Sequence, residues 1–440
     1  MKYYSTNGKA PIADLHKAVV KGLAEDRGLY MPEKINKLPK GFFDNIEKMS
    51  FQEIAYTVAS AFFGEDVDPD ALHDIVYDTL QFDCPVVNVK DNIYTLELFH
   101  GPTLAFKDVG ARFMARLLQY FIKQENNHKE VNVLVATSGD TGSAVANGFL
   151  GVDGIHVYVL YPKGKVSPIQ ECQFTTLGKN ITAIEVDGVF DDCQALVKNA
   201  FMDAELNEHM KLTSANSINV ARFLPQAFYY FNAYARMKEI ANTQHLSPNT
   251  QLVMCVPSGN FGNICAALFG HEMGLPIKRF IAANNANDIF YNYLQTGKYE
   301  PKPSKQTLAN AMDVGDPSNF ARIYDLYGKS HAKITSLISG ATYSDEQIKA
   351  TMRECYKDSG YILDPHGACG YQALKDGLQA GEVGVFCETA HPAKFKEKVD
   401  DILGIDVEIP ERLAAFMRGQ KQSVPMSKDF ADFKAFLMKQ

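Results

Sequence analysis

The chain has 440 residues, 46% hydrophobic and 22% charged. That is ordinary globular usage, long enough for two or three domains and too apolar for a disordered chain. The net charge of −8, without a run of Lys/Arg, argues against a nucleic-acid partner, although local dipoles and a few converging cations still allow an anionic ligand. The start, MKYYSTNG, lacks a charged stretch followed by an apolar one, and no apolar run reaches about 18 residues. Neither a signal peptide nor a membrane span is therefore expected. Eight scattered cysteines (84, 172, 193, 255, 265, 355, 369, 387) form no CxxC pair, and the 11 histidines show no ligand spacing. These features predict structural thiols in a reducing, cytoplasmic compartment, with no metal site.

In chain order, residues 1–85 show short helical patterns broken by the Gly- and Pro-containing GLYMPEKINKLPKGF, with a helix expected over Phe51–Phe63. They read as a small N-terminal domain. From residue 86 to 440 apolar runs alternate with amphipathic segments, the signal of an α/β region with a mostly parallel sheet. YTLELF (94–99), VNVLVAT (131–137), IHVYVLYP (155–162) and NITAIEVDG (180–188) are predicted strands, and QLVMCVPSGNFG (251–262) a strand and its loop. Segments 108–122, 142–151, 190–201 and 263–274 are predicted helices. GVFCETAHPAKF (384–395) reads as a late strand and turn, KYEPKPSKQ (298–306) as a loop, and 276–345 is less periodic.

Four segments carry chemistry. Ser258-Gly259-Asn260-Phe261-Gly262-Asn263 lies between a strand and a helix, where small residues admit a ligand and free amides at the helix start attract a dianion. It fits a tight βα turn without a ligand equally well. Its spacing is neither Walker A nor GxGxxG. Thr137-Ser138-Gly139-Asp140-Thr141-Gly142-Ser143 ends a buried strand, where open α/β sheets bind ligands. The same residues also make a good helix cap. His100-Gly101-Pro102-Thr103-Leu104-Ala105-Phe106-Lys107-Asp108 puts Lys107 in apolar surroundings at a helix start, where desolvation favours a neutral, nucleophilic amine. Taken alone, Lys107 reads as a solvated surface lysine and His100 as a structural histidine. Asn216-Ser217-Ile218-Asn219-Val220-Ala221-Arg222 offers amides, a hydroxyl and a guanidinium fork suited to phosphate, and taken alone reads as a capped loop.

Together HGPTLAFKD, TSGDTG, NSINVAR, PSGNFGN and ETAHPAKF resemble, in order and separation, the threonine synthases of the fold type II pyridoxal-phosphate enzymes, and GLAEDRGLYMP (22–32) resembles that family's N-terminal segment. The resemblance spans nearly the whole chain. It implies an α/β fold type II architecture: two open, twisted, mostly parallel sheets flanked by helices, with the active site between two α/β subdomains, plus the small N-terminal domain. It implies pyridoxal 5′-phosphate as a Schiff base on Lys107, its phosphate on the backbone of Gly259, Asn260, Phe261, Gly262 and Asn263, and Thr389 at the pyridine nitrogen. A hydroxyl there, in place of a carboxylate, implies a weakly protonated ring. Ser138, Asp140 and Thr141 would lie against substrate and ring, and Asn216, Ser217 and Arg222 would hold the substrate phosphate.

The implied activity converts O-phosphohomoserine to threonine and phosphate, in a monomer acting on a small molecule. Asp140 stands where many fold type II enzymes have asparagine, and a carboxylate beside the cofactor phenolate would be repulsive unless protonated. DPHGACG (364–370) departs from the pattern at the glycine after His366, so the resemblance assigns His366 no role. A serine/threonine dehydratase or a related phospholyase shares the lysine and phosphate loop; NSINVAR and the N-terminal region favour the synthase. A catalytically inactive, ligand-binding paralogue is the alternative outside enzymes.

Overall fold

A computed structural model describes residues 1–127, 129–247 and 249–440. The chain forms two compact units. One contains Met1, Met31–Gly101 and Phe223–Glu408; the other contains Lys2–Tyr30, Pro102–Arg222 and Ile409–Gln440.

The first unit is built on a six-stranded sheet in the order Ile338–Thr342, Arg279–Asn284, Gln251–Pro257, Glu382–Glu388, Ile93–Glu97, Val86–Lys90. Neighbours are parallel except the last pair, which is antiparallel. Glu382–Glu388 is buried at every position, as a strand covered on both faces requires. The helix Pro365–Gly377 packs on this strand and on Gln251–Pro257. Its seat is close: a Cβ on Gly384 would lie 2.6 Å from Leu374 Cδ2. Asp364 caps this helix through the amides of His366 and Gly367, and Pro365 follows at the first helical position. The helix Phe51–Phe63 has the predicted ends. Ser50 and Glu53 form a capping box, and Ile54, Ala55, Val58, Ala59 and Phe62 make its buried stripe.

The second unit carries a five-stranded parallel sheet in the order Val424–Ser427, Ile181–Asp187, Ile155–Pro162, Val131–Ala136, Lys211–Ser214. Alternation along the strands sends Leu134, Ala136, Tyr158, Leu160, Ile184 and Val186 to one face, where they pack with Cys193, Leu196 and Val197 of the helix Phe190–Met202. The opposite face carries Val159, against which Gly142 of the helix Asp140–Phe149 sits so closely that a Cβ would be 2.8 Å from it. Helices therefore flank both faces, the arrangement a parallel sheet needs. Among the described residues, no helix is long and apolar enough to cross a membrane. All eight cysteines are free thiols.

Three helices start earlier than their sequence pattern, the one expected from 263 beginning at Gly262. The helix expected from 142 begins at Asp140, because Thr137 Oγ1 accepts the amides of Gly139 (2.9 Å) and Gly142 (2.8 Å) and folds the intervening residues into its first turn. The helix expected from 108 begins at Lys107 itself and runs to Gln124.

Candidate active site

In the second unit, the loop before the lysine helix is fixed by Asp108. Its buried carboxylate accepts the Thr103 amide at 2.9 Å and the Thr103 hydroxyl at 2.5 Å. This turns the chain sharply, with Leu104 at φ 60, and presents Lys107 at the helix start. Lys107 is half-buried, and its Nζ donates to Thr141 Oγ1 at 2.8 Å. The structure thus joins the lysine segment to the TSGDTG loop, 34 positions apart in sequence.

Within that loop Gly139 has φ 147, and a Cβ there would meet the Gln170 side chain at 2.6 Å. The Asp140 carboxylate is buried and accepts from Gln170 Nε2 at 3.0 Å. Gln170 is itself buried and was not anticipated; a glutamine in the ordinary segment PIQECQFT gives no spacing signal. Ser138 is half-buried.

Arg222 lies at the end of the loop that follows Lys211–Ser214. It is 2% exposed, and its guanidinium donates to the Ala215 carbonyl, closing the loop on itself. Burial lowers its pKa to about 10, opposed by the negative charge of Asp108, so it remains a cation at neutral pH. The approach depends on Gly110 of the lysine helix, where a Cβ would be 2.3 Å from the Arg222 carbonyl oxygen. Asn219 braces the same loop, donating to Val19 O at 2.9 Å and accepting the Ala221 amide at 2.9 Å. Asn216 and Ser217 are half-buried on this loop, and Asn216 Oδ1 is buried with no hydrogen-bond partner among the described residues.

In the first unit, the strand Gln251–Pro257 leads into Ser258–Asn263 and the helix Gly262–Glu272. Phe261 takes the left-handed conformation at φ 66, and no side chain caps the helix. The first amides, those of Gly262 and Asn263, consequently point out of the helix without an intrahelical acceptor. Asn263 works from inside: its Oδ1 accepts from Ser258 Oγ (2.8 Å) and the Ile264 amide (2.9 Å), and its Nδ2 donates to Pro257 O (2.9 Å). These bonds brace the loop from within. Thr389 follows the strand Glu382–Glu388 and is buried.

These features fit pyridoxal phosphate. An uncapped helix start after a glycine-containing turn suits a phosphate dianion, a half-buried amine held by a hydroxyl suits covalent attachment, and a buried hydroxyl at a strand end suits a ring nitrogen. The family model described as pyridoxal-phosphate dependent enzyme matches residues 82–387. Models for the N terminus and the C-terminal part of threonine synthase match residues 2–80 and 367–437. Threonine synthases of Serratia marcescens and Escherichia coli (strain K12) are 44% and 43% identical over 438 residues, covering 100% of this chain and 99% of each relative.

The chain belongs to the threonine synthase family.

Among solved structures, that of Escherichia coli threonine synthase matches with a TM-score of 0.91 at 43% identity, covering 100% of both chains. A pyridoxal-phosphate-bound threonine synthase from Brucella melitensis matches with a TM-score of 0.92 at 33% identity, over 100% of this chain and 99% of that one. The fold type II architecture expected from the motifs is therefore that of the family. Maize serine racemase, at 16% identity and a TM-score of 0.52, shares the fold alone.

Proposed function

We propose that the chain converts O-phosphohomoserine and water to L-threonine and inorganic phosphate, with pyridoxal 5′-phosphate carried on Lys107. The observation that carries the reading is the 2.8 Å contact between Lys107 Nζ and Thr141 Oγ1, which brings two of the family's motifs together around an amine at a helix start. When bound, the cofactor supplies an electron sink that acidifies the substrate's Cα–H and then its Cβ–H.

Lys107 would carry the cofactor, and its amine would move the protons at Cα and Cβ. Thr141 holds the lysine amine in reach, and Ser138 with the amides of the Asp140–Thr141 turn takes the substrate carboxylate. The Asp140 side chain acts through Gln170 to fix the loop. Arg222, Ser217 and Asn216 hold the phosphate as it leaves Cγ and keep it near the water that adds at Cβ. In the other unit, the amides of Gly259, Asn260, Phe261, Gly262 and Asn263 would hold the cofactor phosphate with help from the helix dipole, and the Thr389 hydroxyl would serve the pyridine nitrogen. The reading includes a cytoplasmic location, supported by eight thiols outside any disulfide, and no nucleic-acid partner, supported by a net charge of −8; a monomer is carried over from the family resemblance alone.

The test is product analysis with O-phosphohomoserine. Threonine and phosphate in equal amounts are expected. Release of 2-oxobutyrate would assign a dehydratase, and protein that neither binds the cofactor nor turns over would be a non-catalytic paralogue.

A further inference from the structure

His366 is the second residue of the helix Pro365–Gly377 and is 2% exposed. Its two ring nitrogens face different partners. Nδ1 lies 2.5 Å from Asp364 Oδ2, and Asp364, wholly buried, also accepts the amides of Gly367 (2.8 Å) and His366 (3.2 Å). Nε2 lies 3.1 Å from the amide nitrogen of Ala311, which is a donor. One tautomer satisfies both contacts: the proton sits on Nδ1 and is donated to Asp364, leaving Nε2 as an acceptor. Burial raises the Asp364 carboxyl while His366 and its other donors lower it, and the net effect holds it below the usual carboxylate range, so it stays an acceptor.

Ala311 belongs to a short turn, Asn310–Met312, laid directly on the phosphate loop. A Cβ on Gly259 would be 2.7 Å from Ala311 O and 2.8 Å from Met312 Cα, so backbone touches backbone there. Farther along the same segment, Ser318 N donates to Asn260 Oδ1 at 2.7 Å and Asn319 N to Asn260 O at 3.2 Å. Asp313 anchors the segment between these points, accepting from Thr307 Oγ1 at 2.7 Å and Asn285 Nδ2 at 2.9 Å. The turn bearing Ala311 is thus a strap over Gly259 and Asn260, and His366 is the side chain that pins it at its Gly259 end.

We infer that His366 is a positioning residue for the phosphate loop: with its Nε2 fixed as an acceptor by Asp364, it holds Ala311 and, through Ala311, the backbone of Gly259. The inference rests on the reading that Gly259–Asn263 receives the cofactor phosphate. It deepens that reading by naming what sets the loop's shape. His366 acts on the phosphate end of the cofactor alone.

The test compares pyridoxal 5′-phosphate with pyridoxal, which lacks the phosphate, by equilibrium dialysis against apo protein without substrate. His366→Leu fills the space without accepting a hydrogen bond. It should weaken pyridoxal 5′-phosphate binding roughly tenfold, the size of one lost hydrogen bond, and leave pyridoxal binding unchanged. His366→Gln can place a carbonyl oxygen near the Nε2 position and should restore most of the loss. Asp364→Asn, which frees the ring to take the other tautomer, should behave like His366→Leu and serves if that variant does not fold. Variants that keep the wild-type preference for the phosphorylated form, or lose both ligands equally, would overturn the inference alone. Wild-type protein with no preference between the two ligands would overturn the functional reading, and this inference with it.

Discussion

Replacing Gly110 by alanine separates the structural account from a generic view of helix glycines. Gly110 lies one turn into the lysine helix, three residues after Lys107. In an ordinary helix interior, Gly→Ala stabilises by about 1 kcal/mol because glycine has more freedom to lose. Here the new methyl would stand 2.3 Å from the Arg222 carbonyl oxygen, whereas ordinary contact begins at 3.4 Å. The obstacle is backbone, so no rotamer change relieves it, and helix and loop must separate by about 1 Å. Overpacking of this kind costs about 1–3 kcal/mol, which offsets or exceeds what the helix preference returns, so a net loss of up to about 2 kcal/mol is expected. The same displacement moves Lys107 relative to Arg222, and about 1 Å of misplacement can cost on the order of 10²-fold in rate. Urea unfolding read by circular dichroism and steady-state kinetics measure both effects. Gly41→Ala is the control: a Cβ there meets nothing within 4 Å, and the variant should be at least as stable as the parent. Gly110→Ala protein as stable and as active as wild type would refute the close approach and the role built on it.

If, as proposed, Arg222 keeps the departing phosphate beside the water that adds at Cβ, Arg222→Ala should lower kcat as well as raise KM; a change in KM alone would limit Arg222 to uniform binding. Glu382→Gln tests an ion cluster remote from the chemistry. The buried Glu382 side chain accepts from Arg279 Nε (3.0 Å) and Nη2 (2.7 Å) and from Lys278 Nζ (3.0 Å). The Arg279 hydrogen bonds, ahead of the opposing effect of burial, hold its pKa at about 2 against an ordinary 4.5. A depressed carboxylate stabilises the fold fully above the unfolded pKa and loses that contribution as pH falls through the folded one. Wild type should therefore lose its advantage over Glu382→Gln between about pH 4.5 and 2, with roughly 3 kcal/mol as the ceiling. A difference in unfolding free energy that does not change across that interval would contradict the assignment.

Local pattern was enough for the long buried strands and for Lys107 at a helix start, because each is written in consecutive residues. Ile155–Pro162 and Phe51–Phe63 have the expected ends for that reason. The four loops were visible as clusters of glycine, hydroxyl and amide. What joined them was not: Thr141 meets Lys107 from 34 positions away, and Gln170 meets Asp140 from 30. Such pairs are set by sheet order, which places Val131–Ala136 beside Ile155–Pro162 and Lys211–Ser214 and leaves no mark in spacing. Arg222 read as a phosphate fork on a capped loop, and its burial left no mark in the sequence, because it depends on Gly110 admitting its backbone to the lysine helix. His366 read as having no role, since its contact with Ala311 joins segments 55 residues apart through a backbone amide that any residue there would present.

Borohydride reduction of the cofactor-loaded protein, followed by peptide mapping, locates the Schiff base on the chain. The peptide containing Lys107 should carry the mass of reduced pyridoxal phosphate, and Lys107→Ala protein should be folded, unlabelled and nearly devoid of turnover. Label on a different lysine, or substantial turnover by the Lys107→Ala protein, would contradict the assignment of Lys107.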